Sequence, residues 1–166
     1  MASADRFHPR RMAYGGANQA AVASDFSSLA LFNNSNYAEY LIVRHWTATF
    51  GGSVQILAGV VPGSFGGTAV TPIPYFPNEA LPPGTLTKIA AVAAQTTGYA
   101  IGGSANVNFS WPLDLPFAVV PQGYTFFIQC TSANNAITAS VMWEAIKPEQ
   151  LEPELMLAAI AALQPQ

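Results

Sequence analysis

The chain has 166 residues, enough to bury a core as one domain, yet 51% are hydrophobic and only 9% charged, with a formal net charge of −3 and an isoelectric point near 5.1. The acidic balance has the wrong sign for a surface that tracks phosphates, so nucleic acid is not expected as a partner. A lone cysteine, Cys130, excludes an internal disulfide, and the longest apolar run, Leu155 to Leu163, falls far short of the ~20 residues of a membrane-spanning helix.

An ordinary soluble domain carries about 25% charged residues. With 6 basic and 9 acidic side chains, much of this surface must be Ala, Thr, Ser, Asn and Gly. Such a surface resists aggregation poorly when free and suits a protein covered by neighbours. A neutral-surfaced secreted domain is the alternative. The opening Met1-Ala2-Ser3-Ala4-Asp5-Arg6 lacks the basic-then-apolar order of a signal peptide, so synthesis in a reducing cytoplasm is expected.

Residues 1–25 read as an extended arm. Arg6, His8, Arg10 and Arg11 cluster there, no period of 2 or 3.6 is visible, and Gly15-Gly16 interrupts any helix. The arm fits either a tether that orders on a partner or a frayed terminus.

Residues 26–147 read as a β-sandwich domain. Tyr40 to Phe50 is β-branched and aromatic, and its even positions Tyr40, Ile42, Trp46, Ala48 and Phe50 are expected on one face, with Arg44 as the exception. Arg44 is expected to pair with an acid such as Glu144 or Asp114, or to lie at a subunit seam. Gly51-Gly52 and the run Ser53 to Val61 that follows give a hairpin signal. Val61 to Pro83 is a long irregular stretch, and loops of that length are usually functional or interface elements. Ser28 to Asn33, Leu86 to Ala93 and Leu113 to Val120 are weaker strand signals; a helix over Leu86 to Gln95 competes with the second, and strand is preferred. Tyr124, Phe126, Ile128 and Cys130, and then Ile137, Ala139, Val141, Trp143 and Ala145, alternate most clearly. About eight short strands with Gly/Pro-rich connections point to an antiparallel all-β sandwich or jelly roll. Its core is expected to include Ile42, Trp46, Ile56, Phe126, Ile128, Val141 and Trp143.

Residues 148–166 read as a helical tail, with a short helix from Glu152 to Leu163 whose first turn carries Pro153, Glu152 and Glu154. That helix is apolar nearly all round and marginal alone, so it must dock on its own sandwich or on another subunit. Together with Arg6, Arg10 and Arg11 of the arm, Leu151, Leu155, Leu157, Ile160 and Leu163 are the candidate interface residues.

No catalytic, cofactor-binding or metal-binding residue can be nominated. H-E-x-x-H, C-x-x-C and EF-hand spacings are missing, as are G-x-x-x-x-G-K, G-x-G-x-x-G and G-x-S-x-G. A carboxylate pair for glycoside hydrolysis would have to come from Glu39, Glu79 and Asp114, which read better as solvated edge charges. Cys130 shares a face with Phe126 and Ile128, as a core thiol does.

The segment Trp111-Pro112-Leu113-Asp114-Leu115-Pro116-Phe117-Ala118-Val119-Val120-Pro121-Gln122-Gly123 leading into Tyr124 to Cys130, and Ala133 to Glu144 with its Trp143-Glu144 ending, resembles the closing strands of tailed-phage virion proteins. Leu29 to Asn34 leading into Leu41-Ile42-Val43-Arg44 is similar to their opening. The resemblance covers residues 27–146 and rests on strand and turn habits. It implies a non-enzymatic, oligomeric virion component, such as a capsid decoration, head-fibre or tail-associated protein, made in the host cytoplasm. Its partners would be copies of itself, a trimer by resemblance, and other virion proteins. Two further readings stay open. One is a receptor- or glycan-binding module with aromatic loops such as Phe65 to Pro77; the other is a hydrolase on a sandwich, disfavoured by the few acids and histidines.

Overall fold

The computed structural model describes residues 11–36, 38–51, 55–92, 99–101, 109–112 and 116–151. The first seven strands are β1 (Arg11–Gln19), β2 (Phe26–Phe32), β3 (Tyr40–Phe50), β4 (Ile56–Pro62), β5 (Thr68–Val70), β6 (Ile73–Pro74) and β7 (Thr85–Val92). They are followed by β8 (Tyr99–Ile101), β9 (Phe109–Ser110), β10 (Ala118–Val120), β11 (Tyr124–Cys130) and β12 (Ile137–Ile146), then a short 3-10 turn at Pro148–Gln150. All ladders are antiparallel and fall into two sheets. One runs β10-β3-β12-β1-β6, with β9 also on β3; the other runs β5-β7-β2-β11-β4-β8.

The sheets face each other across one apolar core, as alternation demands. Leu29, Leu31, Ile56, Phe126 and Ile128 of one sheet meet Val43, Trp46, Val141 and Trp143 of the other. Six of the seven residues expected in the core are there; Ile42 is not. Trp46 sits among rings, 4.6 Å from Phe109 and 5.3 Å from Phe117 between centroids. The outward positions of β11 are also covered: Thr125, Phe127 and Gln129 are fully buried, and Phe65 stacks 5.8 Å from Phe127. Sheet surface covered on its outer side needs no charged side chains, which accounts for part of the low charge.

Residues 11–19 are not a free arm. They form β1, an interior strand paired along all nine residues with β12 and at Ala13 and Tyr14 with β6. The alternation is one of size rather than of hydropathy: Ala13, Gly15 and Ala17 turn inward while Tyr14, Gly16 and Asn18 are exposed. The inward face must be small, because a Cβ on Gly15 would lie 2.5 Å from Leu86 Cδ2. Residues 1–10 lie outside the described residues.

The one-face reading of β3 is corrected by a β-bulge. His45 is opposite Met142 and Val43 opposite Trp143, so Arg44 is an extra residue on β3. A single insertion flips every later side chain to the other face. Leu41 and Val43 therefore point inward before the bulge, and Trp46, Ala48 and Phe50 after it. Ile42 faces outward, in a second cluster with Val119, Ile146, Leu151 and Tyr40.

The hairpin expected at Gly51-Gly52 is also corrected. β3 pairs with β9, β10 and β12, whereas β4 pairs with β8 and β11, so the chain crosses between sheets there. It crosses again between β11 and β12 through Ser132 to Asn135. Asn134, at φ 63°, takes the left-handed conformation that asparagine tolerates. The strand expected over Leu86 to Ala93 is found as Thr85–Val92, and Ser28 to Asn33 falls largely within β2. The helix expected over 152–163 lies outside the described residues.

Candidate functional site

Of the nominated interface residues, Arg11 and Leu151 are described, and both are engaged within the chain. Arg11 forms an ion pair with Glu39, whose side chain is 7% exposed against 37% for Arg11. The pair closes one end of the sandwich around Asn33, which is fully buried. Asn33 donates from Nδ2 to the carbonyls of Glu39 and Val120, each at 2.8 Å, and accepts from the Ser35 amide at 3.0 Å. Every hydrogen-bonding atom of that amide is thus used, as burial requires. Leu151 folds back onto Ile42, Val119 and Ile146 on the outer face of β3, β10 and β12. The turn before it is closed by Gln150, whose side-chain oxygen accepts from the Lys147 amide at 3.1 Å. Arg6, Arg10, Leu155, Leu157, Ile160 and Leu163 lie outside the described residues.

Arg44 pairs with Glu144, as the sequence allowed. Its Nε donates to Oε1 at 2.6 Å, and a second guanidinium nitrogen meets the same oxygen. The bulge places Arg44 over the neighbouring strand, where Glu144 is 1% exposed. The next residue, His45, donates from Nδ1 to the Trp111 carbonyl, and the Trp111 amide donates to Trp46 O at 2.9 Å. The bulge is thus a polar seam tying the chain between β9 and β10 to β3. Arg44→Ala removes the guanidinium and leaves a carboxylate in a buried position. We expect a loss of about 3 kcal/mol, read by urea denaturation, with the Arg44→Met/Glu144→Leu double variant losing much less.

Among the described residues the other large apolar side chains are buried or half-buried, but Tyr14, Ile73, Tyr75, Phe76 and Leu81 are 42–51% exposed. Four of the five fall in the long segment that the sequence marked as irregular. Tyr14 lies opposite Ile73 across β1 and β6, and the Tyr75 amide donates to Met12 O at 2.9 Å. The Tyr75 and Phe76 rings make an edge contact with centroids 5.0 Å apart. Phe76-Pro77-Asn78-Glu79 then turns the chain, with the Glu79 amide donating to Phe76 O at 3.3 Å and Asn78 at φ 68°. Proline and then a left-handed Asn are the residues a type II turn requires.

The far end of this segment is pinned to the core. Trp143 Nε1 donates to Pro83 O at 3.0 Å, and the Gly84 amide donates to Asn34 Oδ1 at 2.9 Å. Gly84 has φ +128°, and a Cβ there would lie 3.0 Å from Leu31 Cδ1 and 3.1 Å from Trp143 Nε1. Gly84→Ala combines a disfavoured backbone with overpacking, so we expect about 1–3 kcal/mol of destabilisation by thermal melting. The exposed side chains are therefore presented by a braced segment.

Among the described residues no three His, Cys, Asp or Glu side chains gather as a metal site would. Cys130 is buried in the core, where desolvation pushes its thiol pKa up, and it donates to Ser132 O at 2.8 Å. Burial outweighs the Ser132 hydrogen bond, which acts in the opposite sense, and holds Cys130 as an unreactive thiol. Comparison with protein-family models, with curated proteins and with solved structures finds no match to this chain.

Proposed function

We propose that the chain is a non-enzymatic structural subunit that self-associates and packs on other subunits of a particle. The observation that carries this reading is the exposed apolar group of Tyr14, Ile73, Tyr75, Phe76 and Leu81 on a surface with few charges. Exposed apolar patches of this kind mark protein contacts. The particle type comes from the resemblance alone: a tailed-phage virion, with the chain as a capsid decoration, head-fibre or tail-associated component. A jelly-roll form of the sandwich and an apolar helix over 152–163 belong to the same proposal, the helix adding contact area.

A second reading follows from the placement of Tyr75 and Phe76. Exposed aromatic rings on a braced loop also suit stacking on sugar rings, as in a receptor- or glycan-binding module of a fibre. Two measurements on the purified chain separate the readings. The structural-subunit reading expects an oligomer that survives heating on a native gel and no saturable signal when oligosaccharides are titrated. Saturable sugar binding that disappears in Tyr75→Ala or Phe76→Ala would replace it with the second reading.

A further inference from the structure

Resting on the self-association proposed above, we infer that the edge of the first sheet formed by β1, β6 and the segment to Leu81 is the contact surface, and that its occupant is the same surface on a second copy of this chain.

The mode of contact follows from the backbone. The Tyr75 amide points inward to Met12 O, and β6 pairs with β1 through Ile73 and Pro74. Amide directions alternate along a strand, so the outward nitrogen of β6 itself belongs to Pro74, which carries no hydrogen. Along β6 an added strand would find acceptors but no donor, which weakens ladder extension there and favours contact through side chains. An extended peptide is therefore a poor occupant.

The chemistry of the side chains selects the partner. From Thr68 to Gly84 the only charged residue is Glu79, and one of its carboxylate oxygens is buried. A partner carrying a charged patch gains no pairing here and loses hydration. An apolar patch whose one acid is partly buried can meet its own copy across a rotation axis with little like-charge repulsion. Among the described residues, this edge carries all five exposed large hydrophobics.

Area points the same way. At roughly 150–250 Å² per large side chain, five side chains about half exposed present on the order of 450 Å² of apolar surface per copy. Two copies then bury about 900 Å², short of the roughly 1,200–2,000 Å² of a stable interface. Further area is offered by Thr71, Pro77, Asn78 and Ala80 of the same segment, all exposed. An apolar centre with a small polar rim is the usual anatomy of such a contact. The turn at Phe76–Glu79 and the Trp143 to Pro83 bond hold the centre in place before contact, which limits the ordering entropy that association must offset.

The test uses the full chain in sedimentation equilibrium. Tyr75→Ser/Phe76→Ser alters two exposed rings outside the core, so its melting temperature is expected to match the parent. Its self-dissociation constant is expected to rise at least about 100-fold, as for loss of central aromatic anchors. As an independent readout, Ala80→Cys is expected to form a covalent dimer under mild oxidation, while Ser64→Cys, exposed on the loop over the other sheet, is not. A folded double variant that associates as tightly as the parent overturns the assignment of this surface while leaving self-association intact. A parent chain that is monomeric overturns both.

Discussion

A chain lacking residues 1–20 is expected not to fold, whereas a chain lacking only residues 1–10 is expected to keep its β-sheet circular dichroism and a cooperative melt. The first deletion removes β1 whole, and with it the nine-residue ladder to β12 and the strand that β6 pairs with. It also uncovers the edge of β12, whose inward side chains Val141, Trp143 and Ala145 are buried. It further removes Arg11 from Glu39, leaving a carboxylate with little exposure and no guanidinium beside it. Against a total stability of about 5–15 kcal/mol, losing one interior strand exceeds what the remaining core can offset. The second deletion leaves every β1 pairing in place. A chain without residues 1–20 that still melts cooperatively would show that β1 is dispensable, contrary to its interior position.

Trp143→Ala is expected to lower unfolding free energy by about 3–5 kcal/mol, the range for truncating a buried Trp. Trp143 is fully buried on the inner face of β12. Three effects add there. The apolar transfer term is lost, and the cavity can close only partly because Leu31, Leu41 and Gly84 around it are fixed by their own strands and bracing. In addition, Pro83 O loses its donor. Trp143→Phe, which keeps most of the volume and loses the bond, is expected to fall between the two. Both values come from urea denaturation with the parent slope. A loss below about 1 kcal/mol for Trp143→Ala would mean that the indole is not a core residue.

What the sequence made legible follows the strength of its alternation. β11 and β12 carry apolar and polar types on opposite parities, so their inward faces were readable directly. β1 was not, because its inward face is Ala13, Gly15 and Ala17, too small to register on any hydropathy scale and placed there by the bulk of Leu86 opposite. β3 was readable as a strand but not in its facing. The signal was present in Arg44, a charged residue breaking an apolar parity, and a charged break of that kind is what an inserted residue looks like. The Gly51-Gly52 signal falls in the connection between β3 and β4, but a local turn signal cannot reveal which sheet the next strand joins. The exposed group was half visible: the length of the segment marked it as functional or an interface element and its aromatics suited a receptor- or glycan-binding loop, while Tyr14 joined it only once β1 and β6 were paired. The Arg44 to Glu144 pair was foreseen by composition, since few acids were on offer, and its burial came from the register.

Whether this chain packs on copies of itself is read from the mass of the purified 166-residue chain in sedimentation velocity from submicromolar to tens of micromolar concentration. Self-association predicts a discrete species at an integral multiple of the 17.5 kDa chain mass, persisting at micromolar concentration. It also predicts persistence in high salt, because the contact surface is apolar and screening weakens only charge pairs. A single 17.5 kDa species across the whole range would contradict it.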